Sequence, residues 1–192
     1  MTLVFDTSVL IDHLRGHEHA RRALSNAWAS ERGPAASVLT KVELLAGMRP
    51  AERSATGELT DAIDWIDVDE ELAEHAGALA SQYMRSHPGI ELADYVIAAT
   101  VERLGAELLT RNRKHFPEEP LAERGVRVMD PDDYLCELTH EVPDEVAATV
   151  VRLAAEKQRP PKTPADLLDS LQHAGVPRFS DKVRVLLAEE SG

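Results

Sequence analysis

The chain has 192 residues and a formal net charge of −13, and hydrophobic residues make up 43%, aromatic residues 4% and charged residues 29% of it. This composition predicts a globular protein with one well-buried domain and a small appendage, and it excludes a fibrous or intrinsically disordered chain. The negative charge argues against a broad basic face for nucleic acid, so any RNA would have to be held by metal and by local arginines.

Two features of the sequence bear on its compartment. No apolar run approaches the length that crosses a bilayer, and Asp6 stands where a signal peptide would carry basic residues. Cys136 is the one cysteine of the sequence, so no disulfide can form within the chain. We therefore expect a cytoplasmic protein without membrane association and with an inert thiol.

The first half of the chain alternates short apolar runs with helical patterns. Residues 3–5 are typical of a strand buried on both faces, and Thr7 and Ser8 can begin a helix that Gly16 ends. Two further strands are predicted over residues 35–39 and 65–69. Further helices are predicted over residues 20–29, from Thr40 to Gly47, and over residues 51–62 and 70–85.

The alternation continues to about residue 128. A strongly apolar helix is predicted over residues 92–104, a fourth strand over 106–110 and a short fifth strand over 126–128. Strands separated by helices imply βαβ units. The expected fold is therefore a three-layer α/β/α domain with a parallel central sheet of about five strands.

The pattern changes near Glu137, after which only helical stretches punctuated by prolines remain. Val146, Val150 and Leu153 lie on one face of the first of these helices. A second helix is predicted from Thr163-Pro164, and a third from about residue 180. We expect a first domain over residues 1–136 and a helical extension over 137–192.

Four polar residues are expected at the carboxyl ends of the strands, where open parallel sheets gather functional groups. Asp6 follows the first strand, Glu43 lies in the helix after the second, Asp94 lies in the opening turns of the 92–104 helix, and Asn112 follows the fourth strand. Each residue alone would be more typical of a helix cap or a turn. The four together, in this order, indicate a site.

Crowded carboxylates repel one another by about 1 kcal/mol per pair at 4 Å in water, and by more in a crevice. A hard divalent cation such as Mg²⁺ or Mn²⁺ would neutralise them. Such a cation lowers the pKa of a bound water and offsets charge on a phosphate, which suits phosphodiester cleavage. Whether one or two metals bind stays open.

Four segments resemble the motifs of PIN-domain nucleases, in the family's order and over residues 1 to about 134. They are Leu3 to Asp12 with Asp6-Thr7-Ser8, Thr40 to Gly47 with Glu43, Ala93 to Thr100 with Asp94, and Leu109 to Phe116 with Asn112. The chain is similar to the VapC-like toxins of type II VapBC toxin–antitoxin systems, with a C-terminal helical extension.

The resemblance implies an Mg²⁺- or Mn²⁺-dependent endoribonuclease that acts on structured RNA such as tRNA or rRNA. It further implies restraint by a VapB-like antitoxin protein and assembly as a homodimer. Asp6, Glu43 and Asp94 would be the metal-binding catalytic residues, with the hydroxyl of Thr7 or Ser8 as hydrogen-bond support.

Asn112 also belongs to the expected catalytic set, although many family members have Asp at this position. An amide oxygen can ligate metal but carries no charge, so the affinity for a second metal stays open. Arg111, Arg113 and Lys114 flank Asn112 and are candidates for RNA binding. His115 is expected to be structural.

Other classes of protein fit the residues less well. A phosphatase of the haloacid-dehalogenase type needs a second Asp two residues after the first, where this chain has Ser8. The remaining alternative is a non-catalytic RNA-binding or regulatory PIN-fold module, with Asn112 as the sign of lost turnover. The retention of Asp6, Glu43 and Asp94 favours the nuclease, because three crowded carboxylates are costly to keep without a metal.

Overall fold

The computed structural model describes residues 2–116 and 118–189. The chain divides into two compact units, residues 1–130 and 131–192. The boundary expected from the sequence, after residue 136, falls inside a helix of the second unit, α8 (Pro131–Glu141).

The first unit contains a sheet of five parallel strands in the order β3-β2-β1-β4-β5. Strand β1 is central and completely buried, which explains its uninterrupted apolar sequence. The strands are β1 (Leu3–Phe5), β2 (Pro34–Ser37), β3 (Asp64–Ile66), β4 (Glu107–Leu109) and β5 (Arg127–Met129). The predicted three-layer α/β/α fold with a parallel sheet is confirmed.

Helices connect these strands, as parallel neighbours require. They are α1 (Thr7–Leu14), α2 (Glu18–Ala29), α3 (Val38–Gly47), α4 (Arg53–Asp61), α5 (Glu70–Tyr83), α6 (Leu92–Leu104) and α7 (Glu118–Ala122). Two 3₁₀ turns, Pro50–Glu52 and Arg113–His115, complete the unit.

The second and third strands are shorter than the sequence predicts. Ser37 is buried, and its hydroxyl accepts a hydrogen bond from the Leu39 amide at 3.3 Å, so the chain turns into α3 at Val38 rather than after Thr40. At β2, local capping therefore ends what the apolar pattern alone would have continued as strand. Strand β3 ends at Ile66, and α5 begins at Glu70 as predicted, where the Asp69 carboxylate accepts a hydrogen bond from the Leu72 amide at 2.9 Å.

One hydrophobic cluster of the first unit lies between the sheet and helices α5 and α6. Its members include Val4 and Leu108 from the sheet and Leu79, Ile97 and Ala99 from the helices. Full burial of each Leu or Ile side chain contributes about 1.5–3 kcal/mol to folding. This packing fixes the start of α6, and with it Asp94, relative to the ends of β1 and β4.

The second unit consists of four helices around a core of its own. Besides α8 these are α9 (Pro143–Glu156), α10 (Pro164–His173) and α11 (Pro177–Glu189). Val146 and Val150 are buried in this core as their spacing predicts, and Leu153 packs against it. None of the helices described is long and apolar enough to cross a membrane.

The last helix begins at Pro177, earlier than the predicted start near residue 180. The buried Asp132 carboxylate accepts hydrogen bonds from the backbone amides of Arg178 at 3.1 Å and Phe179 at 2.8 Å. These amides belong to the first turn of α11, and backbone N–H groups in a first turn have no acceptor within their own helix. A carboxylate on another helix therefore sets the start of α11.

Candidate active site

Asp6 lies at the carboxyl edge of the sheet, between the ends of two paired strands. It follows β1 and occupies the residue position before α1, while Thr110 follows the neighbouring strand β4. The hydroxyls of Ser8 and Thr110 both donate hydrogen bonds to Asp6 Oδ2, at 2.6 and 2.7 Å. This buried carboxylate is therefore held in one orientation by two donors.

Glu43 projects from α3 toward the same edge, and the Thr7 hydroxyl donates a hydrogen bond to its Oε2. Burial raises the pKa of the half-buried Glu43 carboxyl, and the hydrogen bond from Thr7 offsets this only in part. The negative charges of Asp6, Asp94 and Glu91 raise this pKa further. Glu43 thus lies within the electrostatic reach of three other carboxylates.

Asp94 occupies the first turn of α6, where its Oδ2 accepts a hydrogen bond from the Glu91 amide at 2.9 Å. His115 Nδ1 lies 3.1 Å from the same oxygen. Burial raises the pKa of the Asp94 carboxyl, and the charge of Asp6 adds to this effect. These increases outweigh the hydrogen bonds that stabilise the ionised form.

The site therefore holds more negative charge than its own donors neutralise. All of its acidic side chains carry hard oxygen donors, the type that Mg²⁺ and Mn²⁺ prefer. Among residues 2–116 and 118–189, no three His, Cys, Asp or Glu side chains are arranged to ligate one ion directly. Because Mg²⁺ keeps several waters and uses only one or two carboxylates, this donor set fits an ion held partly through water.

Asn112 is also at this edge, but its side chain contacts a histidine. Its backbone amide donates a hydrogen bond to Thr110 Oγ1 at 2.9 Å, and its side-chain Nδ2 lies 2.7 Å from His115 Nδ1. His115 thus stands between Asn112 and Asp94. Sequence analysis grouped Asn112 with the three acids. In the structure its side chain reaches the vicinity of one of them, Asp94, through its contact with His115.

The three basic residues considered for RNA binding differ in their surroundings. Arg111 Nη1 donates to Asp12 Oδ2 at 2.7 Å, and Arg113 Nη1 lies 3.6 Å from Asp130 Oδ2. Lys114 is exposed. Of these two ion pairs, that of Arg111 is the shorter.

Sequence reasoning missed several residues that shape the site. Thr110 had a usable signal, since it is polar and directly follows the strand next to β1. Glu91 and Asp12 had none, because their relation to the site depends on how α6 and α1 pack.

Comparison with known proteins agrees with this fold. A model of the PIN domain matches residues 3–118, and a model of the VapC50 C-terminal domain matches residues 131–185. The chain therefore belongs to the PIN-domain family.

Within that family its relatives include VapC proteins. Ribonuclease VapC19 of Mycobacterium tuberculosis is 42% identical over 117 residues, which cover 61% of this chain and 94% of the relative. Ribonuclease VapC10 of the same organism is 41% identical over 116 residues, covering 60% and 86%.

Solved structures show the same fold. A toxin–antitoxin complex from Klebsiella pneumoniae matches at 29% identity with a TM-score of 0.51, over 67% of this chain and 97% of that one. VapBC2 from Rickettsia felis, bound to a promoter DNA fragment, matches at 19% identity with a TM-score of 0.58, over 68% and 98%.

Proposed function

We propose that this protein is an Mg²⁺- or Mn²⁺-dependent endoribonuclease and the toxin component of a VapBC-type toxin–antitoxin system. The observation that carries the proposal is that Asp6, Glu43 and Asp94 share one edge of the sheet, where the pKa values of Glu43 and Asp94 are both raised. Perturbed carboxylates of this kind are concentrated at functional sites. The relatives named as ribonucleases support the choice of substrate class.

In this proposal Asp6, Glu43 and Asp94 hold the cation. When bound, the cation supplies a Lewis acid that lowers the pKa of water and offsets charge on the scissile phosphate. Ser8 and Thr110 orient Asp6, and Thr7 orients Glu43 through their hydrogen bonds. Such supporting contacts fix the ligand geometry that metal sites require.

Asn112 and the nearby basic side chains complete the proposed active site. The contact of Asn112 with His115 holds the imidazole beside Asp94. Arg111, Arg113 and Lys114 would contact RNA phosphates next to the cation, which the overall charge of −13 makes necessary. The substrate would be a structured RNA such as tRNA or rRNA in the cytoplasm.

We also propose that a VapB-like antitoxin restrains the protein and that the protein assembles as a homodimer. The match to a chain of a toxin–antitoxin complex supports the first partner. Co-expression with a candidate VapB-like antitoxin, followed by size-exclusion chromatography with light scattering, would measure both associations.

The decisive experiment is cleavage of total cellular RNA by the purified protein with Mg²⁺, Mn²⁺ or EDTA, followed by mapping of the cut ends. We expect discrete products that need metal, and a loss of rate of at least about 100-fold in Asp6→Ala and Asp94→Asn, since even supporting residues of metal sites matter 10- to 100-fold. Glu107→Gln is the matched control, because it removes a carboxylate at the opposite edge of the sheet.

Two results would contradict the nuclease. Undiminished cleavage by Asp94→Asn would show that the acidic residues are not the site. RNA binding without cleavage under any metal condition would instead support the non-catalytic RNA-binding module, the alternative that Asn112 favours.

A further inference from the structure

Asp12 is a buried carboxylate that lies outside the acidic site. It is on α1, and its Oδ2 accepts a hydrogen bond from Arg111 Nη1 at 2.7 Å and lies 3.0 Å from His19 Nε2. A buried charge needs such partners, because an unpaired one would be costly. The contacts connect α1, α2 and the loop after β4.

His19 secures Asp12 from the interior. Its side chain is almost completely buried, and its Nδ1 has no hydrogen-bond partner among the described residues. The Nε2 of His19 is therefore the ring nitrogen that faces Asp12. The half-exposed His17 lies farther away, with Nε2 at 3.9 Å from Asp12 Oδ1.

Asp12 is ionised at neutral pH in this environment. Burial by itself raises the pKa of its carboxyl, but the hydrogen bonds from His19 and Arg111 outweigh burial and lower that pKa to about 2. The Arg111 guanidinium therefore faces a full negative charge.

Arg111 is anchored at both ends. Its backbone amide donates to Ser8 Oγ at 3.1 Å, and Ser8 Oγ donates to Asp6 Oδ2 at 2.6 Å. Its guanidinium is held by Asp12, while the side chain stays 40% exposed. Only Nη1 has an acceptor among the described residues.

The remaining Nε and Nη2 hydrogens form the planar fork that arginine uses to bind phosphate through two hydrogen bonds. We propose that Asp12, secured by His19, is a positioning residue that holds this fork of Arg111 against an RNA phosphate beside the scissile one. The inference deepens the proposed ribonuclease function and rests on it.

The charge of Asp12 makes a test by sign possible. Asp12→Asn removes a negative charge from a chain of net charge −13, so charge alone would strengthen RNA binding. Loss of positioning would weaken it instead, because Arg111 would no longer be held. The two effects predict opposite directions.

The experiment compares full-length wild type, Asp12→Asn, Arg111→Ala and the double variant. The probe is fluorescein-labelled bulk transfer RNA: its binding is measured by anisotropy without divalent metal over a NaCl series, and its cleavage with Mg²⁺ gives KM and kcat. We expect each single variant to weaken binding about three- to tenfold and to raise KM by the same factor, with little change in kcat. The double variant should be no worse than Arg111→Ala.

A second variant does not depend on Asp12. Arg111→Lys keeps the charge but loses the fork, so it should resemble Arg111→Ala more than wild type. Arg111→Ala should also reduce the slope of log affinity against log salt by about 1. Glu107→Gln and Arg127→Ala are matched controls: they break an ion pair of similar exposure, 3.0 Å long, at the opposite edge of the sheet, and should leave binding unchanged.

The possible results separate this inference from the proposed function. If wild type cleaves RNA with metal but Asp12→Asn binds RNA more tightly, or its effect adds fully to that of Arg111→Ala, the positioning role is wrong and the nuclease stands. An Arg111→Lys variant with the RNA affinity and KM of wild type would also contradict the positioning role of Asp12. If wild type neither binds nor cleaves the probe, both proposals fall.

Discussion

Asp12 is tolerated in the interior because Arg111 and His19 satisfy its charge, and this has a consequence for stability. The pKa of the Asp12 carboxyl in the folded protein, about 2, lies below its ordinary value of 3.8. The ionised carboxylate and its partners therefore stabilise the fold above pH 4, and this stabilisation is lost as the pH falls through about 2. At 1.36 kcal/mol per pKa unit, the contribution is about 2 kcal/mol.

We therefore expect Asp12→Asn to be less stable than wild type by about 2 kcal/mol at pH 7. The difference should shrink between pH 4 and pH 2, since wild type then loses the same charge. Urea unfolding of both proteins across this range measures it. A difference that persists at pH 2 would mean that Asp12 stabilises the fold by packing and not by its charge.

At the residue scale the sequence revealed the acids and two hydroxyls beside them, those of Thr7 and Ser8, but not the supporting residues that come from other elements. Asp6, Glu43 and Asp94 could be identified because each follows or opens an element whose end lies at a known edge of a parallel sheet. Their assignment as metal ligands stays a prediction. Asp12 and His19 looked like ordinary helix residues, because only the packing of α1, α2 and the β4 loop brings them to Arg111.

Helix α6 shows how one element depends on its end. Gly105 terminates it in the left-handed conformation, with φ of 54°, and its amide contacts the carbonyls of Val101 and Glu102. A Cβ at Gly105 would meet nothing within 4 Å, so any cost of adding one is conformational and not steric crowding by neighbours.

Gly105→Ala should therefore lower the free energy of unfolding by about 1 kcal/mol. Gly77 provides the matched control: it lies inside α5 with equally open surroundings, and no positive φ is found there. Gly77→Ala should raise stability by about 0.5–1 kcal/mol. Thermal unfolding of both variants tests the pair, and equal effects of the same sign would contradict the conformational argument.

The same physics explains which elements were predicted well. Helix α6 has an apolar pattern, a first-turn acid and a terminal glycine that all agree, and its predicted bounds match. Val38 and Leu39 were assigned to a strand because they are apolar, whereas the capping hydroxyl of Ser37 starts a helix there. Periodicity cannot distinguish these two outcomes over so few residues.

Two hydrophobic clusters among the described residues lie in different units of the chain. The cluster around Val4 and Ile97 draws its residues from before residue 130, and the cluster around Leu168 and Val183 draws its residues from after it. The sequence-based boundary at residue 136 assigned Leu135 and Cys136 to the first domain, but both are buried in the second cluster. Periodicity identified the last three helices of the second unit, but it did not predict α8, whose residues Leu135 and Cys136 join the second cluster.

Fragments test this division because a unit of about 60 residues is only marginally stable. We expect residues 1–130 and residues 131–192 each to unfold cooperatively when expressed alone, and the first to retain metal-dependent cleavage. Residues 137–192 should not fold, because that fragment lacks Leu135 and also Asp132, whose carboxylate binds the first turn of α11.

Circular dichroism during urea unfolding, together with binding of an apolar dye, measures the three fragments. Loss of Leu135 alone should cost about 2–5 kcal/mol, as much as such a unit can spare. Cooperative unfolding of residues 137–192 would show that α8 is dispensable to the second core. A dye-binding, non-cooperative fragment 1–130 would instead show that the first unit needs residues beyond 130 to complete its fold.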